Sequence, residues 1–304
     1  MYKSFDELIQ KANQLSPKRT IVISAADDGD MIHLVEEILK ISLCKVILVG
    51  NKDKIEELAA GKFTLADVRI VDVKDRIDSC LTAVKLVHDG AGQVLVKGKV
   101  NTSDFLRAVL NKEVGLRSGK KLNVLSCYDV PDQEKLFFIS DGGMIVAPTL
   151  EDKVDILENC IPVLHRMGIT QPKVAILSAN EVVSESMPST VDAAALCRMA
   201  REGMLPKAIY EGPISLDVAV SPAAAKAKGI KSQISGDVDL FLVPSIETGN
   251  CMGKAIGYFA HGNMAGLVLG ATHPVIMASR SAPIKNKLTS IAWAILASQN
   301  IDIK

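Results

Sequence analysis

Thr20-Ile21-Val22-Ile23-Ser24, followed by Ala25-Ala26-Asp27-Asp28-Gly29-Asp30, is the stretch on which the fold turns. Its first five residues are mostly β-branched and apolar, without the alternation of a half-exposed strand. That pattern suits a strand buried on both faces. The acidic turn opens a helix that runs to about Lys40. Carboxylates in a first helical turn meet the positive end of the macrodipole. The unit then recurs. Lys45–Val49 reads as a second strand ending at Gly50, and Val68–Val71, Gln93–Val96 and Leu122–Ser126 follow, with helical stretches between them. Short apolar strands alternating with helices predict βαβ units and a parallel sheet.

The pattern changes after Ser126. Cys127–Lys135 is polar and carries Pro131, then Leu136–Ile139 reads as a new strand. A helix is expected over Leu150–Met167, and strands over Lys173–Ser178, Leu240–Val243, Leu267–Leu269 and Val275–Ala278. A last helix is expected from Leu288 to Ile301, and Ala179–Ser189 reads as a polar loop. The expected fold is α/β with two domains. One is discontinuous, residues 1–131 with 267–304, and the other spans residues 132–266.

The chain has 304 residues, 48% of them hydrophobic and only 4% aromatic, so a large aliphatic core is expected. Lys+Arg and Asp+Glu are equal at 35 each. No basic footprint points to nucleic acid, and an anion site must be local. The N-terminus is polar and acidic, unlike a signal peptide, and no apolar run reaches the ~18 residues of a membrane span. A cytoplasmic protein with no membrane partner is expected. The six cysteines (Cys44, Cys80, Cys127, Cys160, Cys197, Cys251) are scattered, with no CxxC pair. They read as reduced packing residues, and no metal site is expected.

Three strand-to-helix junctions carry polar groups. The first is Ser279-Arg280-Ser281, after the strand ending at Ala278. Ligands bind beyond the carboxyl ends of strands in open α/β sheets, where a following helix presents unpaired N–H groups. Two hydroxyls and a guanidinium there suit a phosphate or carboxylate. The second is Lys97-Gly98-Lys99-Val100-Asn101-Thr102-Ser103-Asp104. Thr102 and Ser103 are candidate helix caps, or with Lys97 and Lys99 candidate phosphate ligands. The third is Pro244–Lys254. Gly249 and Asn250 suggest a tight turn there, and Asn250 and Lys254 lie one helical turn apart, a rim for an anionic or amide-rich ligand. No GxxxxGK[ST] is present, which disfavours a P-loop.

In order and spacing, KGKVNTSDFLRAVL (97–110), ISDGGMIVAPT (139–149), EGPISLD (211–217), KGIKSQISGDVD (228–239), VPSIETGNCMGK (243–254) and Ser279-Arg280-Ser281 resemble the phosphate acetyl/butyryltransferase family. Lys254 followed by Gly257-Tyr258-Phe259 looks more like its butyryl branch. The resemblance implies interconversion of a short- or branched-chain acyl-CoA plus phosphate with acyl phosphate plus CoA, by direct transfer in a ternary complex. It implies a fold of two α/β/α domains with a cleft between them, like that of isocitrate and isopropylmalate dehydrogenases, and a homodimer. It implies no bound cofactor, with coenzyme A and phosphate as substrates.

On that reading Ser279 is a donor to the oxyanion or phosphate, and Arg280 forms a fork to the phosphate that lysine cannot copy. Thr102 and Ser103 hold the same phosphate. Family members usually carry an aspartate soon after the Ser-Arg pair, a candidate base for the CoA thiol. Here residues 281–287 contain no carboxylate. Asp237 and Glu247 are replacement candidates, or a nearby cation lowers the thiol pKa without a base. His261 and His273 read as loop hydrogen-bonding residues, Cys251 as no nucleophile, and Met144, Met252 and Met277 as packing. The competing class is a non-catalytic acyl-CoA or acyl-phosphate binding protein of the same fold. A dehydrogenase of that fold would need clustered aspartates for a divalent metal, which the sequence does not offer in clear form.

Overall fold

The computed structural model describes residues 2–278 and 282–301. From the N-terminus it runs α1 (Phe5–Asn13), β1 (Thr20–Ser24), α2 (Gly29–Lys40), β2 (Lys45–Gly50), α3 (Lys52–Ala59), β3 (Arg69–Asp72), α4 (Arg76–His88), β4 (Val94–Lys97) and α5 (Thr102–Val109). Then come β5 (Asn123–Asp129), β6 (Phe137–Ser140), α6 (Leu150–Arg166), β7 (Lys173–Leu177), α7 (Pro188–Arg201), β8 (Ile209–Ile214), α8 (Leu216–Val220), α9 (Pro222–Ala227), β9 (Leu240–Leu242) and α10 (Ile246–Phe259). β10 (Asn263–Leu269), β11 (Val275–Ile276) and α11 (Ile284–Ala297) complete it.

The chain divides into two compact units, Ser4–Lys120 with Ala265–Lys304, and Lys121–Met264 with the N-terminal residues up to Lys3. We call these the outer and inner units, after their places in the sequence. The division falls at residue 121, not at 132 as expected, because β5 is a hairpin partner of β6, with Ser126 opposite Ile139. The polar Cys127–Lys135 stretch is therefore the end of β5 and the hairpin turn.

In the outer unit the strand order is β3-β2-β1-β4-β11-β10. The strands are parallel except β10, which runs against β11. Ile21, Val22 and Ile23 are wholly buried, as a two-sided strand requires. Asp28 caps α2 by accepting from the Asp30 N–H at 3.2 Å. α11 packs against α1, α2 and β11, and its residues from Lys287 to Ala297 are all buried. It spans Ile284–Ala297, not Leu288–Ile301. Pro283 occupies its N-cap position, and the Ser298 hydroxyl donates to the Ile295 carbonyl at the other end.

In the inner unit the order is β5-β6-β9-β7-β8, parallel except β5. α6 begins with a reciprocal cap between Thr149 and Asp152. β8, which the sequence pattern did not suggest, is an edge strand interrupted by Gly212-Pro213. An edge tolerates the missing N–H of proline. A Cβ on Gly212 would sit 2.8 Å from that of Ile176, so only glycine lets β8 approach β7 there.

Candidate active site

The outer unit has its topological switch between β1 and β4. The chain steps outward from β1 through β2 to β3, and β4 returns on the other side of β1. Ser24 lies opposite Lys97, and on the far side of β4 Val96 lies opposite Ile276 of β11. Three parallel strand ends thus lie side by side, the setting in which α/β sheets bind ligands.

The turn after β4 is pressed onto the turn after β1. The Gly98 N–H donates to the Ser24 carbonyl at 3.0 Å and the Lys99 N–H to the Ala25 carbonyl at 3.1 Å. A Cβ on Gly98 would lie 2.2 Å from the Ser24 oxygen, which makes glycine obligatory. Lys97 folds back and donates to the carbonyl of Val100 at 2.9 Å and of Gly98 at 3.3 Å. Lys99 pairs with Asp28 at 2.7 Å. Burial pushes the Asp28 carboxyl up, but the Lys99 hydrogen bond and charge outweigh it and the net shift is downward. Arg76 reaches the buried Asp27 at 3.5 Å.

Thr102 and Ser103 do not cap α5. They occupy its first two positions, and Asn101 stands at the N-cap without a side-chain bond. All three are exposed. The first-turn N–H groups of α5 therefore have no side-chain cap and face solvent, the arrangement that receives anions. Ser279, Arg280 and Ser281 lie outside the described residues. The strand leading to them, β11, ends beside β4.

In the inner unit the ends of β6, β9 and β7 are adjacent. Gly249 and Asn250 form no tight turn. Both lie inside α10, whose N-cap Ser245 accepts from the Thr248 N–H at 3.4 Å. Gly249 serves close packing instead, since its Cβ would fall 2.7 Å from the Gly142 Cα. Asn250 donates to the Gly142 carbonyl at 3.3 Å, and Lys254, a turn later, is exposed. Asp141 organises the loop that these residues grip. It is buried and accepts from the N–H groups of Gly143 (2.7 Å), Met144 (3.1 Å) and Ile145 (3.0 Å). Burial raises its pKa despite those donors. With both oxygens engaged it is a loop organiser rather than a base.

A pocket of ≈ 1110 Å³ lies in the same unit. Its walls are mostly apolar, among them Phe137, Leu177, Phe241, Met252 and Ile256.

The two carboxylates considered as substitute bases fare differently. Asp237 precedes β9, at the amino end of that strand, and is paired with Lys135 at 2.5 Å and with Lys173. Those two hydrogen bonds lower its pKa, which makes it a poor base at the wrong end of the strand. Glu247 is in the first turn of α10, where a backbone N–H and Ser245 lower its pKa. His273 is pushed down by burial and bonds the Thr272 hydroxyl at 3.0 Å. Cys251 is exposed, and the other five cysteines are buried and free. His33, Glu36 and Glu37 bring ligand atoms within 4.8 Å of one another on α2, but Lys40 already pairs with both glutamates at 2.9 and 2.7 Å.

Sequence reading missed Asp141 and the cluster of Glu181, Ser215, Asp217 and Lys228. Asp-Gly-Gly after a strand is a turn signal that pointed to the former. The latter joins three separate loops, and no local pattern pairs them.

The family described as phosphate acetyl/butaryl transferase matches residues 74–295. The chain belongs to that family. It is 39% identical over 299 residues to a phosphate butyryltransferase of Clostridium beijerinckii, covering 98% of this chain and 99% of that one. Among solved structures, a branched-chain phosphotransacylase from Enterococcus faecalis superposes with a TM-score of 0.82 at 30% identity, over 92% of this chain and 99% of that one. A 4-hydroxythreonine-4-phosphate dehydrogenase from Klebsiella pneumoniae shares the fold, with a TM-score of 0.60 at 13% identity, over 93% of this chain and 99% of that one. As a member of this family the chain is an acyltransferase. No helix among the described residues is long and apolar enough to cross a membrane.

Proposed function

We propose that the chain transfers a short- or branched-chain acyl group directly between CoA and phosphate in a ternary complex. The observation that carries this is the uncapped, exposed start of α5, set beside the strand that leads into Ser279-Arg280-Ser281. Phosphate binds the N–H groups of the α5 first turn with the hydroxyls of Thr102 and Ser103. Arg280 grips two of its oxygens, and Ser279 donates to the charge developing on the acyl oxygen. Lys97 keeps the turn in shape through its carbonyl bonds, and Lys99 adds positive charge already shared with Asp28. Asn250, Lys254 and Ser281 contact the CoA substrate or the transferred group.

The thiol is deprotonated without a dedicated carboxylate, since residues 281–287 supply none and Asp237 is sequestered. Cations near the sulfur stabilise the thiolate, whose unperturbed pKa is roughly 8.5 if it behaves like cysteine. The acyl-phosphate-forming and CoA-consuming directions therefore differ in pH dependence. The rate with CoA as nucleophile rises with pH and levels off below that value.

The fold is the one shared with isocitrate and isopropylmalate dehydrogenases, supported by the likeness to the Klebsiella dehydrogenase. The chain pairs with a second copy. Support comes from the end of α10, where Tyr258 is 80% and Phe259 87% exposed, adjacent aromatic surface of the kind an interaction site offers. Coenzyme A and phosphate act as substrates, with no bound cofactor in the reaction.

The test is release of free thiol from acetyl-, propionyl-, butyryl- and isobutyryl-CoA with and without phosphate. Phosphate-dependent release with at least one donor is expected. Tight CoA binding without release from any of the four would instead favour the non-catalytic binding protein.

A further inference from the structure

We infer that Glu181, Ser215 and Lys228 are positioning residues for this reaction, fastening the middle of the strap that runs from the end of β7 to the start of α7. The role rests on the acyltransferase reading above. The strap leaves the sheet after Leu177 and rejoins helix at Pro188. Its middle is exposed, with Val182 at 71% and Val183 at 52%. Asn180, Ser184 and Met187 bond only within the strap and its flanks, to Val182, Thr190 and Ser178. Among the described residues, Glu181 makes the one polar link from residues 179–187 to a distant part of the chain.

That link is well built. Glu181 accepts from the Ser215 hydroxyl and, at 3.3 Å, from the Ser215 N–H. Lys228, at the C-cap of α9, donates to Glu181 at 3.3 Å, to Ser215 Oγ at 3.1 Å and to Asp217 at 3.0 Å. Ser215 stands at the N-cap of α8 yet makes no cap bond; its hydroxyl lies between the carboxylates of Glu181 and Asp217, 2.5 Å from the latter. It is 94% buried by its 6% exposure, so the link is held away from bulk water at its centre. The Ser215 bond and then Lys228 lower the Glu181 pKa, and the Asp217 and Glu181 bonds raise that of Lys228. Both partners stay charged through the neutral range. A charged Lys228 cannot take a proton from Ser215, so the cluster is a fastening and not a nucleophile with its base.

The strap matters because its two ends, Ser178-Ala179 and Met187, line the ≈ 1110 Å³ pocket together with Pro244 and Thr248 at the start of α10. Releasing the middle of the strap loosens one wall of that pocket and leaves the opposite wall in place. With the acyl group or CoA seated against those mostly apolar walls, the loss falls on binding of the acyl-CoA more than on the chemical step.

The experiment measures Lys228→Met, Lys228→Arg and Glu181→Gln on the full chain, with steady-state kinetics in acyl-CoA and hydrogen exchange of the peptide covering residues 179–187. Lys228→Met is expected to raise KM for acyl-CoA about tenfold with kcat changed by less than about threefold, the signature of lost ground-state binding. Exchange in the strap accelerates, and Lys228→Arg restores both. A folded Lys228→Met protein with unchanged KM and unchanged exchange overturns the inference. If that variant does not fold, Glu181→Gln is read by the same two measures, and unchanged values again overturn it. Where the parent protein turns over none of the donors, the acyltransferase reading fails separately. A positioning role for the reaction then falls with it, whatever the exchange shows about the strap.

Discussion

The turn after β4 and the turn after β9 read alike in sequence, each a polar, glycine-bearing entry to a helix, yet they are built for different ends. After β4, the glycine presses one strand turn onto another and the helix begins uncapped, with exposed hydroxyls at its first two positions. After β9, the helix is capped by Ser245, its glycine packs on the Asp141–Gly142 loop and its asparagine donates to that loop. The difference lies in where the polar groups point. One junction leaves N–H groups for an incoming anion, and the other has closed its own and borders an apolar pocket.

The largest effect that separates them is at the residues following β11. Ser279→Ala and Arg280→Ala are each expected to lower kcat by about 10²–10³, the cost of losing a donor to developing charge. Arg280→Ala also raises the apparent KM for phosphate. Unchanged steady-state kinetics for either variant would place the chemistry elsewhere. Next come the two close approaches. Gly98→Ala and Gly249→Ala each force a Cβ against backbone, at 2.2 Å and 2.7 Å, and both should destabilise by about 1–3 kcal/mol in chemical denaturation. Only Gly98→Ala should weaken phosphate as well. Equal phosphate KM values in the two would erase the distinction between the junctions.

Smaller again is the pair Thr102→Val with Ser103→Ala, expected to raise KM for phosphate about three- to tenfold by removing hydroxyl donors while the helix N–H groups remain. Lys254→Ala, at the other junction, leaves phosphate KM alone. The smallest effect concerns Lys99. The folded-state pKa of Asp28 is lowered, so the pair stabilises above the unfolded value and that contribution is lost as pH falls through the folded one. Lys99→Met should remove less than about 1 kcal/mol at neutral pH, because the lysine is half exposed. Its stability deficit should shrink as pH drops below about 4, where the parent loses the same pairing. A deficit that is constant across acid titration would refute this account of Asp28.

How far the sequence went depended on whether the signal was local. TIVIS gave β1 to the residue, because two-sided burial writes itself as an unbroken apolar run. β8 was invisible, because a strand at an edge with Gly212-Pro213 in it carries a turn signal inside a strand. The polar Cys127–Lys135 stretch marked a change of pattern without showing that its turn joins two paired strands. At the site, Lys97, Lys99, Thr102 and Ser103 could be named from their junction. That Lys97 bonds its own turn and Lys99 an aspartate from the turn after β1 depends on strand order, which no single junction contains. The Glu181–Ser215–Lys228 link shows the same limit at greater distance.

The most direct test of acyl transfer to phosphate at this site follows isotopically labelled phosphate into product, with butyryl-CoA as donor. The account predicts one labelled butyryl phosphate for each CoA thiol released, with saturation in phosphate that Arg280→Ala weakens. Thiol release without labelled acyl phosphate, or at a rate indifferent to phosphate, would contradict it.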